Sequence, residues 1–297
     1  MKRLLIIGCG DVGLRVAALL QSRYRIYALT HSTERLAGLR SRSLIPLVGD
    51  LDQSDTLTGL GGLAHEVIHL APPPDSGRMD TRTAHLIAAL TRGGSLPQHF
   101  VYISTSGVYG DCGGARIDET RPLRPQTDRA QRRADAEQRL RDWGARRGVR
   151  VSILRVPGIY AADRLPVARI RRGTPALLPQ DDGWVNHVHA DDLARMVVAA
   201  LRHGQANRSY NASDDAPQKM GDYFDMVADH FHLPRPPRVA RDGAQIAIPA
   251  NLRSFMNESR QLLNRRIKQE LRVRLHYPTV QEGIAAATVL PETLHGH

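Results

Sequence analysis

The run Gly8-Cys9-Gly10-Asp11-Val12-Gly13 has the residue types and spacing of a turn that cradles a dinucleotide diphosphate. Three glycines at these intervals do separate jobs. The first makes a tight turn, the second admits a pyrophosphate to the backbone, and the third lets the next helix pack closely. A helix starting here turns unpaired N–H groups and the positive end of its dipole toward the phosphates. The reading assigns Gly8, Gly10, Asp11, Val12 and Gly13 to cofactor binding and leaves Cys9 as a small filler. Further on, the next strand ends Ala28-Leu29-Thr30-His31-Ser32, without the acid that holds a ribose 2′-hydroxyl in NAD-selective folds. Thr30, His31 and Ser32 suit a 2′-phosphate, and Arg35 or Arg40 can add charge. NADP is therefore the expected cofactor, with NAD the alternative.

These residues need a scaffold, and the first 155 residues predict one. Short β-branched runs alternate with longer amphipathic segments, the pattern of a parallel sheet covered by helices. Strands are expected at Arg3–Ile7, Arg25–Leu29, Ile45–Val48, Glu66–Leu70, Phe100–Ser104 and Arg150–Arg155, each apolar enough to be buried on both faces. Helices are expected near Val12–Arg23, Thr33–Arg40, Thr81–Thr91 and Asp128–Arg147. After Arg155 the rhythm breaks at Pro157, Pro166, Pro175 and Pro179. Helix then resumes at Asp192–Arg202, followed by a strand around Ser209–Ala212 and helices at Lys219–His232 and Glu258–Leu271. The expected fold is α/β, a Rossmann-type doubly wound parallel sheet with a small C-terminal substrate lobe. Residues 1–158 form the dinucleotide domain, with 184–212 returning to it, and 159–183 and 213–297 form the lobe.

Composition narrows the partners. The chain has 297 residues, 41% of them hydrophobic, enough for a sizeable core. Its net charge of +11 is an arginine habit spread along the chain, since Lys2, Lys219 and Lys268 are its only lysines. With aromatics at 5% there is little to stack on bases, so the charge favours an anionic small molecule over nucleic acid. No apolar run approaches the ~20 residues of a membrane span. The run Leu4–Ile7 is too short for a signal-peptide core, so a cytoplasmic protein is expected. Two cysteines, Cys9 and Cys112, can build neither a disulfide framework nor a zinc site.

Further segments carry a family resemblance. Gly49-Asp50-Leu51, Val67-Ile68-His69-Leu70-Ala71, the stretch Tyr102-Ile103-Ser104-Thr105-Ser106-Gly107-Val108-Tyr109-Gly110, Leu154-Arg155-Val156-Pro157-Gly158-Ile159-Tyr160 and His187-Val188-His189-Ala190-Asp191-Asp192-Leu193-Ala194 join the glycine turn. Together they resemble the extended short-chain dehydrogenase/reductase superfamily, the NAD-dependent epimerase/dehydratase proteins. Within it the chain looks most like an atypical bacterial group. The resemblance implies that Asp50, Leu51, Leu70, Ala71, Pro72, Ser104 and Pro157 line the cofactor. It also implies dimer pairing through the helices at Thr81–Thr91 and Asp128–Arg147.

In that family a hydroxyl on the fifth strand polarises the substrate and a tyrosinate four residues before a lysine moves the proton. Thr105 stands at the hydroxyl position. Aligning Ala136-Glu137 with the family's Ala-Glu pair puts Arg129 where tyrosine belongs and Arg133 where lysine belongs. Arg133 can keep the lysine's electrostatic and ribose-binding role, but Arg129 is a poor proton carrier near neutrality. Three readings follow. Tyr109 serves as the acid; or Arg129 binds an anionic group while Thr105 alone assists; or the protein binds dinucleotide without turnover, as a sensor or scaffold.

Other features read as structural. His187, His189 and Asp191 have metal-like spacing, but the resemblance gives that segment a structural role before a helix, with Asp191 or Asp192 as N-cap, so no metal is expected. Asp118, Glu119 and Thr120 read as loop caps and Trp184 as packing. Arg155, Arg169, Arg171 and Arg172 read as solvated surface rather than diphosphate ligands.

Overall fold

The computed structural model describes residues 1–243 and 258–287. Its elements open with β1 (Lys2–Ile7), α1 (Asp11–Leu20), β2 (Tyr24–Thr30), α2 (Arg35–Arg40), β3 (Ile45–Val48), β4 (Glu66–His69), α3 (Thr81–Thr91) and β5 (His99–Thr105). Next come β6 (Arg116–Ile117), α4 (Asp128–Arg147), β7 (Arg150–Val156), β8 (Gly158–Tyr160), α5 (Val167–Arg171), β9 (Ala176–Leu177), β10 (Trp184–Val185) and β11 (His187–His189). The order closes with α6 (Ala190–His203), β12 (Arg208–Asn211), β13 (Gln218–Lys219), α7 (Met220–His230), β14 (Arg238–Val239), β15 (Gln261–Leu262), α8 (Arg265–Glu270) and α9 (Val280–Ala285).

Seven strands form one sheet in the order β12-β7-β5-β4-β1-β2-β3. Every pairing in it is parallel. Period-2 alternation sends successive side chains to opposite faces. Leu4 and Ile6 therefore join Val16, Leu20, Leu193 and Val197 in one core. Leu5 and Ile7 join Leu86, Leu90, Leu140 and Trp143 in another. With helices on both faces, the sheet is doubly wound, and chain order reverses between β1 and β4. The crevice at such a switch point, outside the carboxyl ends of the strands, is where this architecture binds ligands.

Helix ends follow local chemistry. Thr127 caps α4 by accepting from Ala130 N at 3.2 Å, Arg146 and Arg147 sit in its last turn, and Gly148 ends it in the left-handed region. Asp80 caps α3 through Thr83 N. At α6 the expectation needs correcting. The cap is His189, whose Nδ1 accepts from Asp191 N at 3.2 Å. Asp192 instead accepts from the backbone N–H groups of His276 and Tyr277, both at 2.8 Å, and so ties the later chain to the sheet.

A third cluster gathers Tyr160, Ile170, Tyr223, Phe224, Val227 and Ile284 from β8, α5, α7 and α9. The parts of the expected lobe at 244–257 and 288–297 lie outside the described residues. The helix expected over Glu258–Leu271 is another correction. Gln261–Leu262 pairs with Arg116–Ile117 as a parallel strand, and helix occupies only Arg265–Glu270. The backbone of Gln261 and Leu263 is claimed by Ala115 and Ile117, so a distant partner overrides the helical periodicity.

Candidate functional site

Two cavities open at the carboxyl ends of the strands. The first, about 330 Å³, is lined by Gly8, Gly10, Thr30, His31, Asp50, Leu51, Leu70, Ala71 and Pro72, all singled out from sequence, together with Arg35 and Arg82. The glycines fit a cradle. Gly8 has φ +82°, and a Cβ there would sit 2.5 Å from Ala71 N, so only glycine lets β1 run this close to the chain leaving β4. Around Gly10 there is open space for a methyl, the face a diphosphate would approach. Gly13 packs against Gly8 O and Leu70 under the turn. As N-cap of α1, Gly10 makes no side-chain cap bond, so the first-turn N–H groups stay available. Arg35 donates to Cys9 O at 2.6 Å, placing a guanidinium on the cavity wall, whereas Arg40 is not part of the lining.

Several expected cofactor residues lie off that wall. Asp11 is held by Arg15 at 2.9 Å and by Arg164 at 3.2 Å. Val12 packs on the hydrophobic core. Ser32 donates its backbone N–H to Thr30 Oγ1. The Ser104 hydroxyl is buried without a partner among the described residues. Pro157 lines the second cavity instead.

The second cavity, about 460 Å³, brings Thr105 and Arg129 together with Ser106, Arg164, Trp184, His187, Glu258 and Arg260. Thr105 ends β5, and its Oγ1 accepts from Gly107 N at 3.2 Å. A Cβ on Gly107 would lie 3.6 Å from both Thr105 Oγ1 and Cγ2 and 3.7 Å from Ala130 Cβ, so Thr105 and the first turn of α4 flank this glycine. Arg129 sits on that turn. Burial, then the like charges of Arg133 and Arg132, hold its guanidinium below the usual arginine range.

The other two catalytic candidates are not in this cavity. Arg133 is buried, and its Nη1 donates to Ile103 O at 2.8 Å, Tyr102 Oη at 3.0 Å and Ala71 O at 3.4 Å. Tyr109 is only 1% exposed. Its hydroxyl donates to Asn211 Oδ1 at 2.7 Å and accepts from Arg155 Nη1 at 2.9 Å. Burial pushes its pKa up to about 12 despite Arg155. The structure thus removes Tyr109 as a substrate-facing acid, because the residue that follows the active strand turns inward.

Sequence reasoning missed part of this wall. Trp184, expected as packing, lines the cavity with Lys219 over its ring at 5.2 Å. His187 also lines it, stacked on Tyr223 at 4.3 Å, and burial takes its pKa down to about 4, so the ring is neutral. Arg164 carried no signal of its own in an arginine-rich chain, and Glu258 and Arg260 read only as part of an expected helix and of the family resemblance, not as site residues. Conversely Arg155 is no surface residue: it is buried against Glu137. Glu119 is buried too and accepts from Asn211 N at 2.8 Å. Tyr160 packs edge-on to both His187 and His189. No group of three or more metal-ligating side chains occurs among the described residues, and no helix among them is long and apolar enough to cross a membrane.

Comparison with known proteins gives the same architecture. The chain is 28% identical over 255 residues to GDP-6-deoxy-D-mannose reductase of Pseudomonas aeruginosa, covering 77% of this chain and 80% of that protein. A conserved protein of unknown function from Silicibacter pomeroyi superposes with TM-score 0.77 at 26% identity, over 97% of this chain and 98% of its own. UDP-glucose 4-epimerase of Thermotoga maritima superposes with TM-score 0.76 at 17% identity, over 95% and 96%. The family model for the NAD dependent epimerase/dehydratase family matches residues 4–213, and the chain belongs to that family.

Proposed function

We propose that the protein is an NAD(P)-dependent oxidoreductase or epimerase/dehydratase-like enzyme acting on a sugar-type or other anionic small molecule. The observation that carries this is the pair of cavities along one sheet edge, one holding the glycine turn and the other Thr105 beside Arg129. Gly8, Gly10 and the α1 N-terminus would hold the diphosphate, Asp50 and Leu51 the adenine end, and Pro157 the nicotinamide end. A nicotinamide bound there supplies hydride chemistry. Thr105 then orients and polarises the reacting oxygen. Ser104 and Arg133 support the strand beneath it, and Arg129 contributes fixed positive charge.

NADP is the favoured cofactor. Thr30, His31 and Arg35 stand on the cavity wall after β2, and β2 itself ends without the carboxylate that selects a ribose 2′-hydroxyl. The 28% identity to a nucleotide-sugar reductase supports the sugar class, and the purely non-catalytic reading is not favoured. Residues 159–183 and 213–297 would act as the substrate-side lobe, residues 1–158 and 184–212 as the dinucleotide domain. Pairing of α3 and α4 between two copies, in the cytoplasm, completes the proposal.

Fluorescence titration with NADPH and NADH, followed by a carbonyl and nucleotide-sugar panel monitored at the reduced nicotinamide, tests the reading. NADPH binding tighter than NADH, and turnover of one panel member, are expected. Failure to bind either dinucleotide would sink it.

A further inference from the structure

Among the described residues, four charged side chains line the larger cavity: Arg129, Arg164, Glu258 and Arg260. Three of them already face an opposite charge. Arg164 Nη1 lies 3.2 Å from Asp11 Oδ2, and Arg260 pairs with the Glu258 carboxylate. Arg129 makes no hydrogen bond or ion pair among the described residues. The like charges of Arg133 and Arg132 act on it. Those two donate to the carbonyls of Gly77, Ala71 and Ile103 and to the Tyr102 hydroxyl, none of which carries a formal charge. Of the three guanidiniums at the start of α4, Arg129 is the one that reaches the cavity, while Arg133 lies within the field of the Asp80 carboxylate.

Clustered cations repel one another, and an incoming anion relieves that cost. Among the described residues the cavity's charges sum to one uncompensated positive charge, because Arg260 pairs with Glu258, and Arg164 shares with Arg15 the carboxylates of Asp11 and Asp191. One guanidinium fork matches one planar carboxylate through two parallel N–H···O bonds. A dianionic phosphate would need a second free cation. Thr105 lines the same cavity as Arg129, so a substrate held by its carboxylate on Arg129 shares that cavity with the Thr105 hydroxyl.

We propose that Arg129 is the recognition residue for a substrate carboxylate, so that the substrate class is a hydroxy or oxo acid, sugar acids included. This rests on the NAD(P)-dependent reading above and narrows its substrate. At the position where the family places a proton carrier, this chain holds a group that orients the substrate by its charge.

The test is titration of oxamate, D-glucuronate, D-glucose and inorganic phosphate into the full-length protein saturated with NADPH, followed by calorimetry. At least one carboxylate is expected to bind, tighter than phosphate and far tighter than glucose. In Arg129→Gln its affinity falls at least tenfold, and Arg129→Lys, a point charge without the fork, recovers part of the loss. Equal carboxylate affinity in Arg129→Gln, no carboxylate binding, or phosphate binding more tightly would each overturn the proposal while NADPH binding stands. Absence of NADPH binding would instead remove the underlying reading, and the proposal with it.

Discussion

Arg155 at the end of β7 and Glu137 on α4 face each other with both side chains buried, Nε to Oε1 at 3.1 Å and Nη2 to Oε2 at 2.8 Å. The same guanidinium reaches the Tyr109 hydroxyl, which bonds Asn211 on β12. One bidentate pair thus fastens the turn after β5 to α4 and the sheet edge. Without Glu137 the Arg155 charge would stay buried and unmatched. Glu137→Ala is therefore expected to lose roughly 3–5 kcal/mol of stability, read by urea denaturation. A loss below about 1 kcal/mol would show that the pair does not hold this corner.

Gly8 and Gly10 make opposite predictions. An alanine at Gly8 needs a left-handed φ and drives its methyl into the Ala71 backbone. Strain alone is worth about 1–3 kcal/mol, so Gly8→Ala should lower the melting temperature and dinucleotide binding together. Gly10→Ala has room for the methyl, so the fold should melt within a few degrees of the wild type. Its NADPH affinity should nonetheless drop at least tenfold, because that methyl occupies the face offered to the diphosphate. Unchanged affinity in Gly10→Ala would contradict the cradle.

Arg35 separates the two cofactors. Its guanidinium is anchored to Cys9 O on the wall of the glycine-turn cavity. A hydrogen bond to a charged group is worth about 1.5–3 kcal/mol, so Arg35→Ala is expected to weaken NADPH roughly 10- to 100-fold. NADH, lacking the 2′-phosphate, should change no more than a few-fold. Parallel losses for both cofactors in the same titration would assign Arg35 to the turn rather than to specificity.

The sheet was legible because β1, β4, β5 and β7 are rich in apolar residues and the helices α3 and α4 carry their own caps. The Thr127 cap and Gly148 stop bound α4 in the sequence itself. Strand Gln261–Leu262 was not legible, since its reason lies in β6, far away in the chain. Tyr109 misled in the same way. Adjacency to the active strand says nothing about which way a ring turns, and Arg155 and Asn211, which hold it inward, come from β7 and β12. In the larger cavity, Thr105 and Arg129 could be found by aligning a motif. Arg164 could not, because nothing local distinguishes it from the other arginines, and Arg260 reaches the cavity only through the strand pairing of Gln261–Leu262 with β6.

Buried titratable groups fix how stability should vary with pH. Asp214 is 3% exposed, with Oδ2 unpartnered among the described residues, and burial, with Asp215 and Asp192 nearby, raises its pKa to about 8. The folded state therefore keeps a proton that the unfolded chain releases near its ordinary value of 3.8. Its contribution is complete below that value and declines as pH rises toward 8, at up to about 1.4 kcal/mol per pH unit. The histidines oppose this on the acid side. Burial lowers His99 and His187 to about 4, so protonation of the unfolded chain below 6.5 favours unfolding as pH falls toward 4. Asp214→Asn removes only the first slope. The stability difference between variant and wild type, from denaturation at pH 5 and pH 8, should shift in favour of the variant at the higher pH. A difference independent of pH would mean that Asp214 is already ionised in the folded protein, with a polar partner for its second oxygen.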